Sequence, residues 1–155
     1  MTRHTPDARL EALLIDLPIP AAERGAACHV REANGWCLVG GALPIADGRL
    51  HARGRLGVEL RLEQGQDAAR AALIQALGML KAHYGSLNGL RQCVKLAGYI
   101  AAGPDFREHA RVLDLAGDLL VALFGPAGRH TRTAVGVASL PEGACVMLEL
   151  LFVVG

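Results

Sequence analysis

The chain predicts an α/β fold in which two long helices lie on one face of a mixed sheet. Three observations carry this. Apolar residues recur at helical spacing over residues 64–84 and again from Phe106 to Phe124. Around these stretches lie short apolar runs of strand length, some alternating and some continuous. The last of them, Cys145 to Val153, is apolar on both faces except for Glu149, as in a strand buried within a sheet. The predicted order is a hairpin, a helix, a strand, a helix and two further strands. A single layer of helices leaves the opposite sheet face uncovered, so the chain is expected to associate with copies of itself.

A length of 155 residues suits a single domain, read as an N-terminal helix and linker over residues 1–22 and the domain proper over 23–155. The chain is 52% hydrophobic but only 4% aromatic, so its core must be built from Leu, Val and Ala. A formal net charge of +1 supplies no general drive toward nucleic acid or acidic membranes, and neither is expected as a partner. No apolar run reaches the length of a membrane span. The opening Met-Thr-Arg-His-Thr-Pro-Asp has no signal-peptide core, so the cytoplasm is the expected compartment. The four cysteines, at 28, 37, 93 and 145, include no CxxC pair, and the last three sit in apolar runs as small buried hydrophobes. The histidines form no HxxxH or HExxH arrangement, and no metal or cofactor is expected.

In chain order, residues 6–17 read as a short helix. Pro6 and Asp7 stand in its first turn, Leu10, Leu13, Leu14 and Leu17 share a face, and Pro18 stops it. A hairpin follows, from His29–Ala33 through Asn34-Gly35 to Trp36–Val39, since Asn-Gly between apolar runs favours a two-residue turn. Asp47-Gly48 is a second turn, and Arg49, His51, Arg53 and Arg55 follow on a loop with no aromatic interleaving. In the first long helix Ala69, Ala72, Leu73, Ala76, Leu77, Leu80 and Tyr84 form the inward stripe, Arg70, Gln75 and Lys81 point outward, and Gly85 closes it. Leu90 to Ala102 is a strand with Val94, Leu96 and Ile100 on one face and Arg91, Cys93, Lys95 and Tyr99 on the other. The second long helix opens at Phe106 with an Asp105–Glu108 capping box and ends at Gly125-Pro126.

The most informative stretch is Thr131 to Ala138. By strand alternation Thr133, Val135 and Val137 share one face, and Arg132 shares the other with Ala134, Gly136 and Ala138. That second face sets a planar donor array beside positions with almost no side chain. It suits a carboxylate or phosphate. The alternative reading is a snorkelling surface arginine or half of an ion pair with Glu149.

Several linked motifs stand in order along the chain. They are Leu43-Pro44-Ile45-Ala46-Asp47-Gly48, Gly57-Val58-Glu59, Glu63 to Arg70, Pro104-Asp105-Phe106, Asp118-Leu119-Leu120-Val121, and Phe124-Gly125-Pro126-Ala127-Gly128-Arg129-His130 running on through Arg132 to Leu140-Pro141. Together, over residues 27–153, they resemble the reactive intermediate deaminase (Rid) family, also called YjgF or L-PSP endoribonuclease. The resemblance implies a chorismate-mutase-like fold, a homotrimer with an inner β-barrel, and clefts between subunits. It also implies that Arg132 grips the carboxylate of a 2-imino or 2-enamino acid, which is hydrolysed to a 2-oxo acid and ammonia.

The chain departs from the family pattern where water would be positioned. Met147 stands where the family carries a glutamate, and Glu149 lies two residues on, about 7 Å along the strand. Gly40-Gly41-Ala42 replaces a Ser-Gly-Gln segment, Ala27 a tyrosine, and Asp114 an asparagine. The substrate-binding candidates are therefore Arg132, Gly41, Ala134 and Met147, and the catalytic candidates are Glu149 and Asp114. Three readings follow: an imine or enamine deaminase, a non-catalytic trimer that binds a small carboxylate metabolite, and an endoribonuclease. The last fits least, because no pair of histidines, or of histidine and lysine, can be placed as acid and base.

Overall fold

The computed structural model describes residues 4–155; Met1, Thr2 and Arg3, where the N-terminal reading begins, lie outside the described residues. Helix α1 (Pro6–Ala12) and a linker lead to β1 (Val30–Ala33) and β2 (Trp36–Ala42). The small hairpin β3 (Ile45–Ala46) and β4 (Arg49–Leu50) precedes α2 (Leu62–Tyr84). Then come β5 (Leu90–Ala101), α3 (His109–Val112), α4 (Asp114–Phe124), β6 (Thr131–Val137) and β7 (Val146–Val154).

Five strands form one mixed sheet in the order β1-β2-β7-β5-β6. The doubly apolar β7 takes the centre, antiparallel to β2 and β5, which is where its composition can be buried. Strand β6 lies parallel to β5 at one edge, a pairing that needs the intervening helices to return the chain. Asn34 and Gly35 join β1 to β2 with φ of 53° and 79°, the left-handed pair a two-residue hairpin turn requires.

The helices pack on one face of the sheet. Ala68, Ala69, Ala72 and Ala76 have no exposed surface, so α2 lies close on the strands, while Leu73, Leu77 and Leu80 fill the space between. Each such fully buried leucine stabilises the fold by about 1.5–3 kcal/mol. Burial pushes the Cys93 thiol up to about 12 and that of Cys145 to about 11, in keeping with inert core thiols. The other sheet face carries Trp36, Leu38 and Val135, exposed at 45%, 56% and 42%. No helix among the described residues is long and apolar enough to cross a membrane.

Four local expectations are corrected. Helix α1 ends at Ala12 rather than at Leu17, because Leu14 turns left-handed at φ 56° and stands 92% exposed, leaving Leu10 as the buried residue of the helix. The second long helix is broken at Leu113 into α3 and α4, and the Asp105–Glu108 box is not formed. Glu108 pairs with Arg111 instead, and Phe106 is buried ahead of the helix in a turn closed by its own amide on the Gly103 carbonyl. Cys93 faces the core with Leu96, because a bulge between Cys93 and Lys95 inserts one residue and reverses the alternation. Gln75 points inward, since the β3–β4 hairpin folds across α2 and its Ile45 carbonyl accepts the Gln75 amide at 2.9 Å.

Candidate functional site

Strand β6 positions Arg132. Its register places Arg132 beside Leu96, and Leu96 beside Leu150, both fully or nearly buried under the helices. Arg132 therefore rises on the helix side of the sheet, at the open edge of α3 and α4. Its Nη1 donates to Asp114 Oδ1 at 2.8 Å and reaches the Ala110 carbonyl at 3.5 Å, and its Nη2 lies 3.4 Å from His130 Nε2. His130 is in turn held through Nδ1 by the Gly128 carbonyl at 2.8 Å.

The guanidinium fits there because α4 carries glycine at the point of contact. A Cβ on Gly117 would lie 2.0 Å from Arg132 Nη2. Ala134 and Gly136 share the same face of β6, and His109 stands over Gly136, where a Cβ would come within 2.7 Å of its Nε2. The cationic fork beside small residues that alternation predicts is thus present. Asp114 is its ionic partner, with side chains 28% exposed for Arg132 and 47% for Asp114. Glu149 is not that partner, because the sheet lies between them.

Glu149, Met147 and Gly41 gather on the opposite, open face. Ala97 pairs with Glu149 on β7 and with Thr133 on β6, a row that turns away from the helices. Tyr99, opposite Met147 in the register, donates its hydroxyl to Glu149 Oε1. That bond, then partial burial, then the carboxylate charge raise the Tyr99 pKa above its ordinary value. A bulge at Gly40 and Gly41 lets β2 and β7 approach closely. A Cβ on Gly40 would lie 2.6 Å from Glu149 Cβ, and one on Gly41 2.6 Å from Met147 Sδ. The Gly40–Gly41 peptide is cis. A cleft of about 450 Å³ runs along this face, bordered by Gly40, Gly41, Lys95 and Glu149.

The candidates thus fall into two groups within one chain: Arg132, Ala134 and Asp114 on the helix side, and Gly41, Met147 and Glu149 on the open side. Sequence reasoning missed His109 and His130, which stand over the helix side of β6, and Tyr99 as the partner of Glu149. Strand alternation put Tyr99 on a candidate face, but only the β5–β7 register pairs it with a carboxylate. The anchor points Arg132 and Gly136 are about 13 Å apart by strand rise, so the two histidines flank different parts of the strand. Among the described residues no three His, Cys, Asp or Glu side chains converge as metal ligands.

A family model described as "YjgF/chorismate mutase-like, putative endoribonuclease" matches residues 7–153. Protein TCP17 of Trypanosoma cruzi is 37% identical over 145 residues, 93% of this chain and 91% of that protein. Among solved structures, a protein from Shewanella oneidensis described as a "putative endoribonuclease" superposes with a TM-score of 0.92 at 31% identity over 97% of this chain and 99% of that one. The Agrobacterium tumefaciens protein Atu1372, of unknown function, superposes at 0.88 with 30% identity, covering 97% and 94%. Escherichia coli TdcF, solved with bound serine, shares the fold at a TM-score of 0.63 and 20% identity, over 88% and 94%.

Proposed function

The chain belongs to the YjgF/chorismate mutase-like family, and on that premise we propose that it captures a small carboxylate-bearing metabolite with Arg132, in a cleft closed by a second copy of itself. The observation that carries this reading is the state of the Arg132 guanidinium. Asp114 fixes it through one nitrogen and one oxygen, and Nη2 turns under Gly117 without a carboxylate partner. An arginine fork held at one edge is already oriented, and its remaining donors match the two oxygens of a second carboxylate.

The assembly in this reading is a homotrimer whose open sheet faces turn inward as a barrel. Two features support it: the exposed apolar Trp36, Leu38 and Val135, and the placing of Arg132 and Glu149 on opposite faces of one sheet. Edge strand β6 of one subunit would lie against the open face of the next. Arg132 of one chain would then meet Gly41, Met147 and Glu149 of its neighbour.

Hydrolysis of a 2-imino acid is the second reading, favoured by one observation. The half-exposed carboxylate of Asp114 stands 2.8 Å from the group that would hold the substrate carboxylate. There it could accept a proton from a water attacking the imine carbon, with release of ammonia and a 2-oxo acid. Cleavage of RNA is less well supported, with a net charge of +1 and no histidine pair shown around one phosphate-sized space.

Thermal unfolding with and without 2-oxobutyrate, for the parent and Arg132→Ala, tests the binding reading. Protection of the parent alone supports it, and equal protection of both removes Arg132 from the site. Ammonia release from enzymatically generated 2-iminobutyrate separates turnover from binding. Release that survives in Arg132→Ala contradicts a role for Arg132 in either.

A further inference from the structure

The two ring nitrogens of His130 face partners of opposite kind, and the local chain dictates which faces which. After α4 the segment Gly125–Gly128 makes one short turn and seats Gly128 against the helix backbone, where a Cβ would lie 2.2 Å from the Leu120 carbonyl oxygen. The Gly128 carbonyl is held in place by that seat, and His130 Nδ1 lies 2.8 Å from its oxygen. A carbonyl oxygen can only accept, so Nδ1 carries the proton. The other nitrogen, Nε2, lies 3.4 Å from Arg132 Nη2. A guanidinium nitrogen can only donate, so Nε2 presents its bare lone pair. Both contacts select one species, the neutral Nδ1–H tautomer.

The rest of the fork shows what that lone pair does. A guanidinium has five N–H donors. Asp114 takes one at 2.8 Å and the Ala110 carbonyl one at 3.5 Å, both on Nη1, and His130 takes one on Nη2. One hydrogen on Nη2 and the one on Nε remain. Asp114 already balances the charge of the guanidinium. A second carboxylate in the place of His130 would leave the group net negative and turn an anionic ligand away. A neutral acceptor steadies Nη2 without adding charge. Gly117 makes room for both side chains, since a Cβ there would meet Arg132 Nη2 at 2.0 Å and His130 Cε1 at 3.3 Å.

We propose that His130 is the positioning residue of the carboxylate site, holding the Nη2 arm of Arg132 through a bare Nε2 so that the remaining donors meet the ligand already oriented. The proposal rests on Arg132 as the captor of the ligand carboxylate, and it assigns the histidine no contact with the ligand.

Nitrogen-15 NMR of histidine-labelled protein in mildly alkaline buffer reads the tautomer, with His130→Gln identifying the resonances. A protonated Nδ1 and a bare Nε2 are expected. The reverse tautomer, or a ring protonated at both nitrogens, overturns the proposal. Calorimetric titration with 2-oxobutyrate reads the consequence. His130→Asn keeps a donor near the Nδ1 position but has nothing at Nε2, and affinity is expected to fall about three- to tenfold. His130→Gln reaches toward the Nε2 position with its amide oxygen and is expected to recover most of that loss. In Arg132→Ala, adding His130→Asn is expected to change nothing further, whereas a merely structural histidine would cost affinity there too. Full affinity in His130→Asn, equal loss in the Asn and Gln variants, or a further loss in the double variant overturns the role of His130 alone. Absence of binding by the parent overturns the Arg132 reading and this role with it, whatever the tautomer.

Discussion

Arg132 and Glu149 occupy adjoining rows of the same sheet with β5 between them, and they leave it on opposite faces. Two strand spacings set them about 10 Å apart laterally, and the sheet itself blocks the direct path. A cleft that uses both must draw them from different subunits. Within one chain Arg132 answers to Asp114, and Glu149 to Tyr99.

Gly117 is the position that makes room for the fork. Gly117→Ala would bring a Cβ to 2.0 Å from Arg132 Nη2 and push the guanidinium aside. Alanine also favours a helix interior over glycine by about 1 kcal/mol. The variant is therefore expected to keep or slightly raise the melting temperature while losing protection by 2-oxobutyrate. A melt series with and without ligand reads both effects.

Asp114→Asn removes the charge that partly neutralises Arg132, while its amide oxygen still accepts from Nη1 and keeps the fork oriented. Affinity for 2-oxobutyrate is expected to rise about two- to fivefold, the scale of a part-exposed ion pair. Any ammonia release from 2-iminobutyrate is expected to fall in the same variant. Binding by titration and turnover by ammonia detection thus move in opposite directions.

Leu38 stands 56% exposed on the open sheet face, beside Leu151 in the register. Leu38→Glu places a charge where the account buries the face against other subunits. Light scattering coupled to gel filtration is expected to show a trimer for the parent and smaller species for the variant.

The Tyr99 hydroxyl gives a pH signature. Its pKa is raised in the folded chain, chiefly by the bond to Glu149. The stability this contributes is fully present below the ordinary tyrosine value of about 10 and is lost as pH rises toward the folded value. Urea unfolding at intervals between about pH 8 and 11 is expected to show a steeper loss for the parent than for Tyr99→Phe.

Much of this arrangement is legible in the residues. Asn34-Gly35 specifies its hairpin, the alanine stripe of α2 its close seat on the sheet, and the doubly apolar β7 its central place. Alternation in β6 correctly puts Arg132 with Ala134 and Gly136. What local pattern does not carry is pairing between distant elements. The bulge that turns Cys93 inward and the hairpin that draws Gln75 inward are properties of a neighbour, not of the strand or helix itself. The Asp105–Glu108 box satisfies a local rule but yields to the Glu108–Arg111 pair. Likewise, the partner of Arg132 is set by where α3 and the start of α4 reach β6, since Asp114 and Glu149 are both carboxylates that sequence alone leaves in play.

The most direct measurement is calorimetric titration of the parent and Arg132→Ala with 2-oxobutyrate, with 2-butanone as the matching ligand that lacks a carboxylate. The account predicts saturable binding of the acid by the parent, about 10- to 100-fold weaker in Arg132→Ala, as for loss of a charged hydrogen-bonding partner, and no binding of the ketone. Equal binding of the acid by both proteins, or of the ketone and the acid by the parent, would contradict it.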